Sequence, residues 1–272
     1  KVRQGKGGKD RYTLLSPRLL ETLRLYWRVA RPKHLLFPSR NGTPLDDRTI
    51  GRLYHAAREA AGIPHGGGIH TLRHCFATHL LDAFDLAFGI LNTGSVLHLG
   101  LSPEPDYAAA MISAMNDVLI EEWLPADPRY RASLAIYPND PELAVREIHR
   151  LGDHPGVVQV IMPSAARIPY GQRYYHPIYA AAVEHGLPVA IHPGTEGVGI
   201  SGAPTNVGYP TSYFEWHTDL ACSYIAHLVS LVTEGAFAKF PDLTFVLLEG
   251  GVSWAPPILW RMDKNWKALR MT

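Results

Sequence analysis

Gly186-Leu187-Pro188-Val189-Ala190-Ile191-His192-Pro193-Gly194 reads as a turn, a short apolar strand and a histidine standing where the strand ends. A strand apolar on both faces belongs inside a parallel sheet covered by helices. Working outward, four more apolar stretches of this kind occur, Leu86–Leu91, Ala132–Tyr137, Val157–Met162 and Leu243–Leu248, beside Pro188–Ile191 itself. Helical patterns separate or follow them at 105–124, 141–151, 175–185, 213–239 and 256–269, and Asp140-Pro141 supplies an N-cap followed by a favoured first-turn proline. Repeated strand–helix alternation predicts an α/β fold with a parallel sheet. A closed barrel built this way needs eight strands and about 250 residues. Residues 84–272 offer five strands in 189 residues, so an incomplete barrel is expected.

The strand ends carry the chemistry. In parallel barrels reacting groups gather at the C-terminal ends of strands, and His192 and Glu249 each follow a strand that is otherwise apolar. Imidazole nitrogen and carboxylate oxygen suit zinc or a similar divalent ion, which acidifies bound water or polarises a carbonyl or carboxylate. The segments that carry these residues are Tyr175-His176-Pro177-Ile178-Tyr179, the stretch ending in His192-Pro193-Gly194, Glu215-Trp216-His217-Thr218, Leu247-Leu248-Glu249-Gly250-Gly251 and Trp260-Arg261-Met262-Asp263-Lys264. From about residue 84 to 270 they resemble, in order and spacing, the amidohydrolase-related family, the metal-dependent TIM-barrel hydrolases and decarboxylases that include aminocarboxymuconate semialdehyde decarboxylase.

The resemblance implies a TIM-barrel fragment, a divalent metal (zinc or manganese), and hydrolysis or decarboxylation of a small carboxylate-bearing compound. His192 would be a metal ligand on the middle strand. Glu249 stands where many relatives carry a ligand histidine, and His217, at a helix start, would contact substrate. His176 and His185 are expected at the surface. The family's His-x-His pair is absent from this sequence, and the aspartate of its last strand is not matched. With only two ligands, metal is expected to be held substoichiometrically and turnover to be negligible.

The first 82 residues read differently. Gly5-Lys6-Gly7-Gly8-Lys9 is turn chemistry before the short strand Tyr12–Leu15, with Arg11 behind it. Pro17 then opens an amphipathic helix through about Ala30, and Asp46 or Asp47 caps a second helix that ends at Gly62. A third helix is expected over Thr71–Leu81 within His70-Thr71-Leu72-Arg73-His74-Cys75-Phe76-Ala77-Thr78-His79-Leu80-Leu81. The glycine-lysine turn and this run resemble the catalytic domain of the tyrosine recombinases, the phage-integrase family. The resemblance makes Lys6 the hairpin acid, His70 an acid/base group and Arg73 a phosphate clamp, roles that suit proton transfer and guanidinium binding at a phosphodiester. The family's first arginine would lie upstream of the hairpin. His98 and Tyr107 fall at the distance of its closing histidine and nucleophilic tyrosine, but Asp106-Tyr107-Ala108-Ala109-Ala110 opens a helix of the other part, and the spacing reads as coincidence. The Lys-Ser or Lys-Thr ending of a P-loop is missing, His65-Gly66-Gly67-Gly68 has no Gly-x-Ser-x-Gly elbow to accompany it, and His70 and His74 lack the zincin glutamate.

Charge divides the chain at the same place. Residues 1–82 hold 15 Lys and Arg against 6 Asp and Glu, a net +9, while residues 83–272 hold 11 against 19, a net −8, beneath an overall +1. A basic segment of this density suits non-specific DNA, whose phosphates reward clustered cations. Hydrophobic residues at 46% exclude a disordered chain, and no apolar run approaches the roughly 20 residues of a membrane span. The N-terminus is no signal peptide, so a cytoplasmic protein without membrane contact is expected, and Cys75 and Cys222 read as buried thiols. The sequence therefore predicts a chimera: residues 1–82 a recombinase-like, mostly α fragment, and residues 84–272 an amidohydrolase-like barrel fragment. Three functions follow: a metal-dependent hydrolase or decarboxylase, a DNA-binding recombinase remnant without strand cleavage, or an inactive gene-fusion product.

Overall fold

The computed structural model describes residues 17–32, 35–39, 41–63, 81, 84–93 and 96–269. Two compact units divide the chain, Lys1–Leu86 and Ala87–Thr272.

In the first unit, α1 spans Pro17–Ala30 and α2 spans Asp47–Ala60. Asp46 caps α2, its side chain accepting the Thr49 N–H at 2.6 Å, and that bond holds the Asp46 carboxyl below its ordinary range. Gly62, at φ 67°, lets the chain leave the helix through the left-handed region. The hairpin with Lys6, the His70–Arg73 run, Cys75 and all of the third helix except Leu81 lie outside the described residues.

The second unit is a five-stranded, fully parallel sheet in the order β1-β2-β3-β4-β5. The strands are β1 Gly89–Leu91, β2 Tyr130–Ala135, β3 Val157–Pro163, β4 Val189–His192 and β5 Phe245–Leu247. Each lies where an apolar stretch predicts it, and chain neighbours are sheet neighbours throughout. The connecting helices are α3 Pro105–Val118, α4 Pro141–Leu151, α5 His176–Glu184, α6 Tyr213–Thr218, α7 Ala221–Thr233, α8 Ala236–Lys239 and α9 Ala255–Leu269. A parallel strand must be reached by a crossover, and every crossover here that carries helix returns the chain to the adjacent strand.

Side-chain alternation along the strands divides the core in two. Leu134, Val160, Met162, Val189 and Ile191 join Ile148 of α4 and Ile178, Tyr179 and Ala182 of α5 in one cluster. Ala135, Ile161 and Ala190 join Val96, Leu97 and Ile112 of α3 in the other, with Val246 and Leu248 packed against it. Residues 96–101, between β1 and α3, belong to the core: Val96, Leu97 and Leu101 are buried, Leu99–Leu101 forms a single 3-10 turn, and Tyr137 and Asn139 donate to the Ser102 and Gly100 carbonyls.

Two elements and one histidine depart from the sequence reading. The helix expected over 105–124 runs only to Val118 and widens into a π turn over Leu119–Trp123. The helix expected over 213–239 is three helices, broken where Asp219 ends α6 and where Gly235, at φ 72°, precedes α8. His176 is buried at 6% exposure and not at the surface; its ring is wedged against Phe240, with Nε2 on the Gly171 carbonyl and Nδ1 facing Lys239.

Candidate functional site at the carboxyl ends of the strands

Three strand ends meet at one place. His192 is the last residue of β4, Ser164 follows β3, and Glu249 lies two residues beyond β5. His192 Nδ1 is 2.7 Å from the Pro193 carbonyl oxygen. A carbonyl only accepts, so Nδ1 carries a proton, and in the neutral ring the lone pair is on Nε2. That Nε2 stands 3.6 Å from Glu249 Oε1. Two electron-rich atoms facing each other at this distance are stable when a proton or a cation lies between them. Donors bound to one tetrahedral zinc, each about 2.0–2.2 Å from it, are separated by about 3.4 Å. The pair therefore fits two donors of a divalent-metal site, and the Nδ1–H bond to a backbone carbonyl is the second contact that fixes such a histidine's tautomer. Among the described residues no third His, Cys, Asp or Glu joins them in a group able to hold a metal.

The Glu249 backbone is unusual. Its φ of 61° is left-handed, a conformation that costs a non-glycine residue of the order of 1 kcal/mol. Leu248 is pinned on both sides of its peptide: its N–H donates to the Ile191 carbonyl at 3.0 Å, and its carbonyl accepts the Tyr224 hydroxyl. Beyond the turn, Trp254 Nε1 donates to the Gly250 carbonyl at 2.7 Å. Gly250 is required because the buried Tyr224 ring occupies the space that a Cβ would fill.

A carboxylate that the sequence reading did not single out lies in the loop that follows His192. Glu196, four residues past His192, accepts the Ser164 hydroxyl and the backbone N–H groups of Gly194 and Thr195, tying the end of β3 to the loop after β4. The only sequence signal for it is its place in the loop after a strand end. Ser164, Arg167, Glu196, Asn206, Cys222 and His227 help to line a cavity of about 240 Å³, whose wall includes neither His192 nor Glu249. His227 is a satisfied core histidine, stacked on Tyr170 with ring centroids 4.4 Å apart; Nε2 donates to the Ser164 carbonyl and Nδ1 accepts the Tyr170 N–H. Cys222 is half-buried, more open than the sequence suggests, and burial raises its thiol pKa.

His217 does not join His192 and Glu249. It lies in the last turn of α6, not at its start, exposed, with its ring 5.5 Å from Tyr213 and 6.2 Å from Trp216. Lys6, His70 and Arg73 lie outside the described residues.

Comparison with known proteins gives two results. The family described as Amidohydrolase matches residues 103–272, and the Phage integrase family matches residues 1–87. Solved structures with a similar fold include an amidohydrolase from Mycobacterium avium subsp. paratuberculosis K-10, at TM-score 0.58 and 21% identity over 82% of this chain and 62% of that one. The 2,6-dihydroxybenzoate decarboxylase from Rhizobium aligns at TM-score 0.54 and 21% identity over 71% of this chain and 61% of that one. The 5-carboxyvanillate decarboxylase from Novosphingobium aromaticivorans DSM 12444, complexed with manganese and a nitrobenzoic acid, aligns at TM-score 0.54 and 21% identity over 92% and 68%. In the first unit, the tyrosine recombinase XerC of Mesorhizobium japonicum is 41% identical over 81 residues, 28% of this chain and 26% of that protein. The tyrosine recombinase XerD of Pseudomonas putida is 40% identical over 86 residues, 29% and 28%. The chain thus spans about a quarter of the curated recombinases it matches, and somewhat under two thirds of the first two of these solved structures. Through residues 103–272 the chain belongs to the amidohydrolase family, and in the same polypeptide residues 1–87 carry a phage-integrase sequence, so that the protein is a chimera of the two.

Proposed function

We propose that residues 84–272 are part of a (β/α) barrel that takes a divalent metal, zinc or manganese, and acts on a small carboxylate-bearing compound by hydrolysis or decarboxylation. The observation that carries this reading is the approach of His192 Nε2 to Glu249 Oε1 at 3.6 Å, at the strand ends where parallel α/β folds keep their chemistry. Manganese in the Novosphingobium decarboxylase supports a divalent ion, and the consecutive, all-parallel strand order supports a barrel wall. When bound, the metal would supply Lewis-acid polarisation of a substrate oxygen. The chain's own residues do the rest. His192 and Glu249 would hold the ion, Glu196 fixes the loop after β4, and Arg167, in the wall of the cavity that Glu196 also lines, would offer a guanidinium to a substrate carboxylate. Two protein donors among the described residues are one fewer than a catalytic zinc site normally has, so metal is expected to be held weakly and turnover to be negligible.

Calorimetric titration of 2,6-dihydroxybenzoate into the full chain tests the proposal. Binding is expected only with added Mn²⁺ and is expected to be lost in Arg167→Ala. Binding that ignores both Mn²⁺ and Arg167 contradicts it.

For residues 1–82 we propose a second, separate reading, a DNA-binding recombinase remnant without strand cleavage, in which Lys6, His70 and Arg73 are the acid, the acid/base group and the phosphate clamp. Its support is the net +9 of the segment, to which α1 contributes Arg18, Arg24 and Arg28 and α2 contributes Arg48, Arg52 and Arg58. If neither metal nor DNA is bound, the inactive fusion product is the remaining reading.

A further inference from the structure

Side chains alternate across a strand, so a continuation of β5 would place Glu249 on the same face as Leu247. Leu247 packs against the cluster formed with α4 and α5, whereas Val246 packs with Ala190 on the opposite face, in register with it. His192 shares the face of Ala190, two residues before it on the same strand. By alternation alone, then, Glu249 points away from His192. The left-handed turn at Glu249 reverses this and brings the carboxylate to His192 Nε2.

Little in the local sequence favours such a turn at a glutamate. α7 holds the chain on both flanks of this turn. The Tyr224 hydroxyl donates to the Leu248 carbonyl and its ring lies against Gly250, so the backbone is fixed on either side of Glu249. Tyr224 is fully buried, and burial, reinforced by the nearby carboxylates Glu196 and Glu249, holds its phenol protonated far above neutral pH, so the hydroxyl is a permanent donor.

We infer that Tyr224 is a positioning residue which, through its bond to the Leu248 carbonyl, forces the left-handed turn that turns Glu249 from the face packed on α4 and α5 onto His192. This rests on the reading of His192 and Glu249 as cation donors. Tyr224 does not touch the cation; it sets where one donor stands. It therefore behaves as the outer contacts of metal sites do, whose loss costs about 10–100-fold in metal affinity.

The test uses the full chain, excess Co²⁺ as the probe, and two readouts, the visible absorption of bound Co²⁺ and the melting temperature. Tyr224→Phe keeps the ring and removes only the hydroxyl. It is expected to leave the circular dichroism spectrum intact, weaken Co²⁺ binding about tenfold or more and change the absorption band. Glu249→Gly is expected to lose the same binding while raising the melting temperature, because glycine accepts the left-handed turn without strain. In the double variant the two effects on Co²⁺ affinity should not add, and the thermal gain should shrink because the turn is no longer forced. Unchanged Co²⁺ affinity and spectrum in Tyr224→Phe overturn the inference. Additive effects in the double variant overturn it as well, since a merely structural tyrosine gives that result. If the wild type binds no more Co²⁺ than His192→Ala, the metal reading fails, while the thermal comparison still decides whether Tyr224 imposes the turn.

Discussion

His227 shows what burial does to one side chain. Both ring nitrogens are satisfied by backbone groups, and burial, opposed by the bond to the Ser164 carbonyl, lowers its pKa to about 4 from an ordinary 6.5. A histidine with a lowered pKa favours the folded state fully above its unfolded value and loses that contribution as pH falls through the folded one. Stability worth about 3 kcal/mol, the order of magnitude of such a shift, should therefore disappear between pH 6.5 and pH 4. Urea unfolding of wild type and His227→Gln at pH 7 and pH 4.5 checks this. The variant should be less stable at pH 7 and lose less on acidification; equal losses would refute the assignment. Residues of this sort differ in how far the sequence discloses them. His192 and Glu249 are visible because each ends a strand that is otherwise apolar. Tyr224 is not, because a tyrosine on an apolar helix looks the same whether it merely packs or also holds a turn that it meets 24 residues later.

At the scale of the element, the connections are as specific as the strands. Asp140 caps α4, its carboxylate accepting the Glu142 and Leu143 N–H groups, both at 3.1 Å. Asp140→Ala should cost about 1 kcal/mol. A Cβ at Gly171, in the loop before α5, would run into the α7 backbone at Ser230, and neither partner can yield cheaply. Gly171→Ala should therefore cost about 1–3 kcal/mol, more than the lost cap, and urea midpoints for the two variants give the order directly. The five strands are legible in the sequence because apolar runs bounded by turn residues have few other uses in a soluble chain. The breaks in the long helical pattern over 213–239 are not legible, because Asp219 and Gly235 end helices through local backbone geometry while the apolar spacing continues past them. His217 shows the same limit: that it lies in a helix is legible, but not that the helix ends one residue later and holds it outward beside Tyr213 and Trp216.

Across the whole molecule, two units with opposite charge should respond to different probes. The basic segment should bind duplex DNA without sequence preference, with affinity that falls steeply as salt rises and with no covalent adduct. A covalent protein–DNA adduct that disappears in Tyr107→Phe would contradict this. Limited proteolysis should cut near Ala83, at the change between the units, and should spare 96–105, where Val96, Leu97 and Leu101 are buried. Both halves are legible in the sequence, because family motifs survive as contiguous runs. What the resemblance leaves open is whether either half retains a complete donor set.

That question rests most directly on elemental analysis of the purified full chain and of His192→Ala. The account predicts well under one zinc or manganese per chain in the wild type, lower still in the variant, because His192 and Glu249 supply only two donors at 3.6 Å and no third joins them among the described residues. About one tightly held metal per wild-type chain, absent from His192→Ala, would contradict it and would mean that a further ligand completes the site.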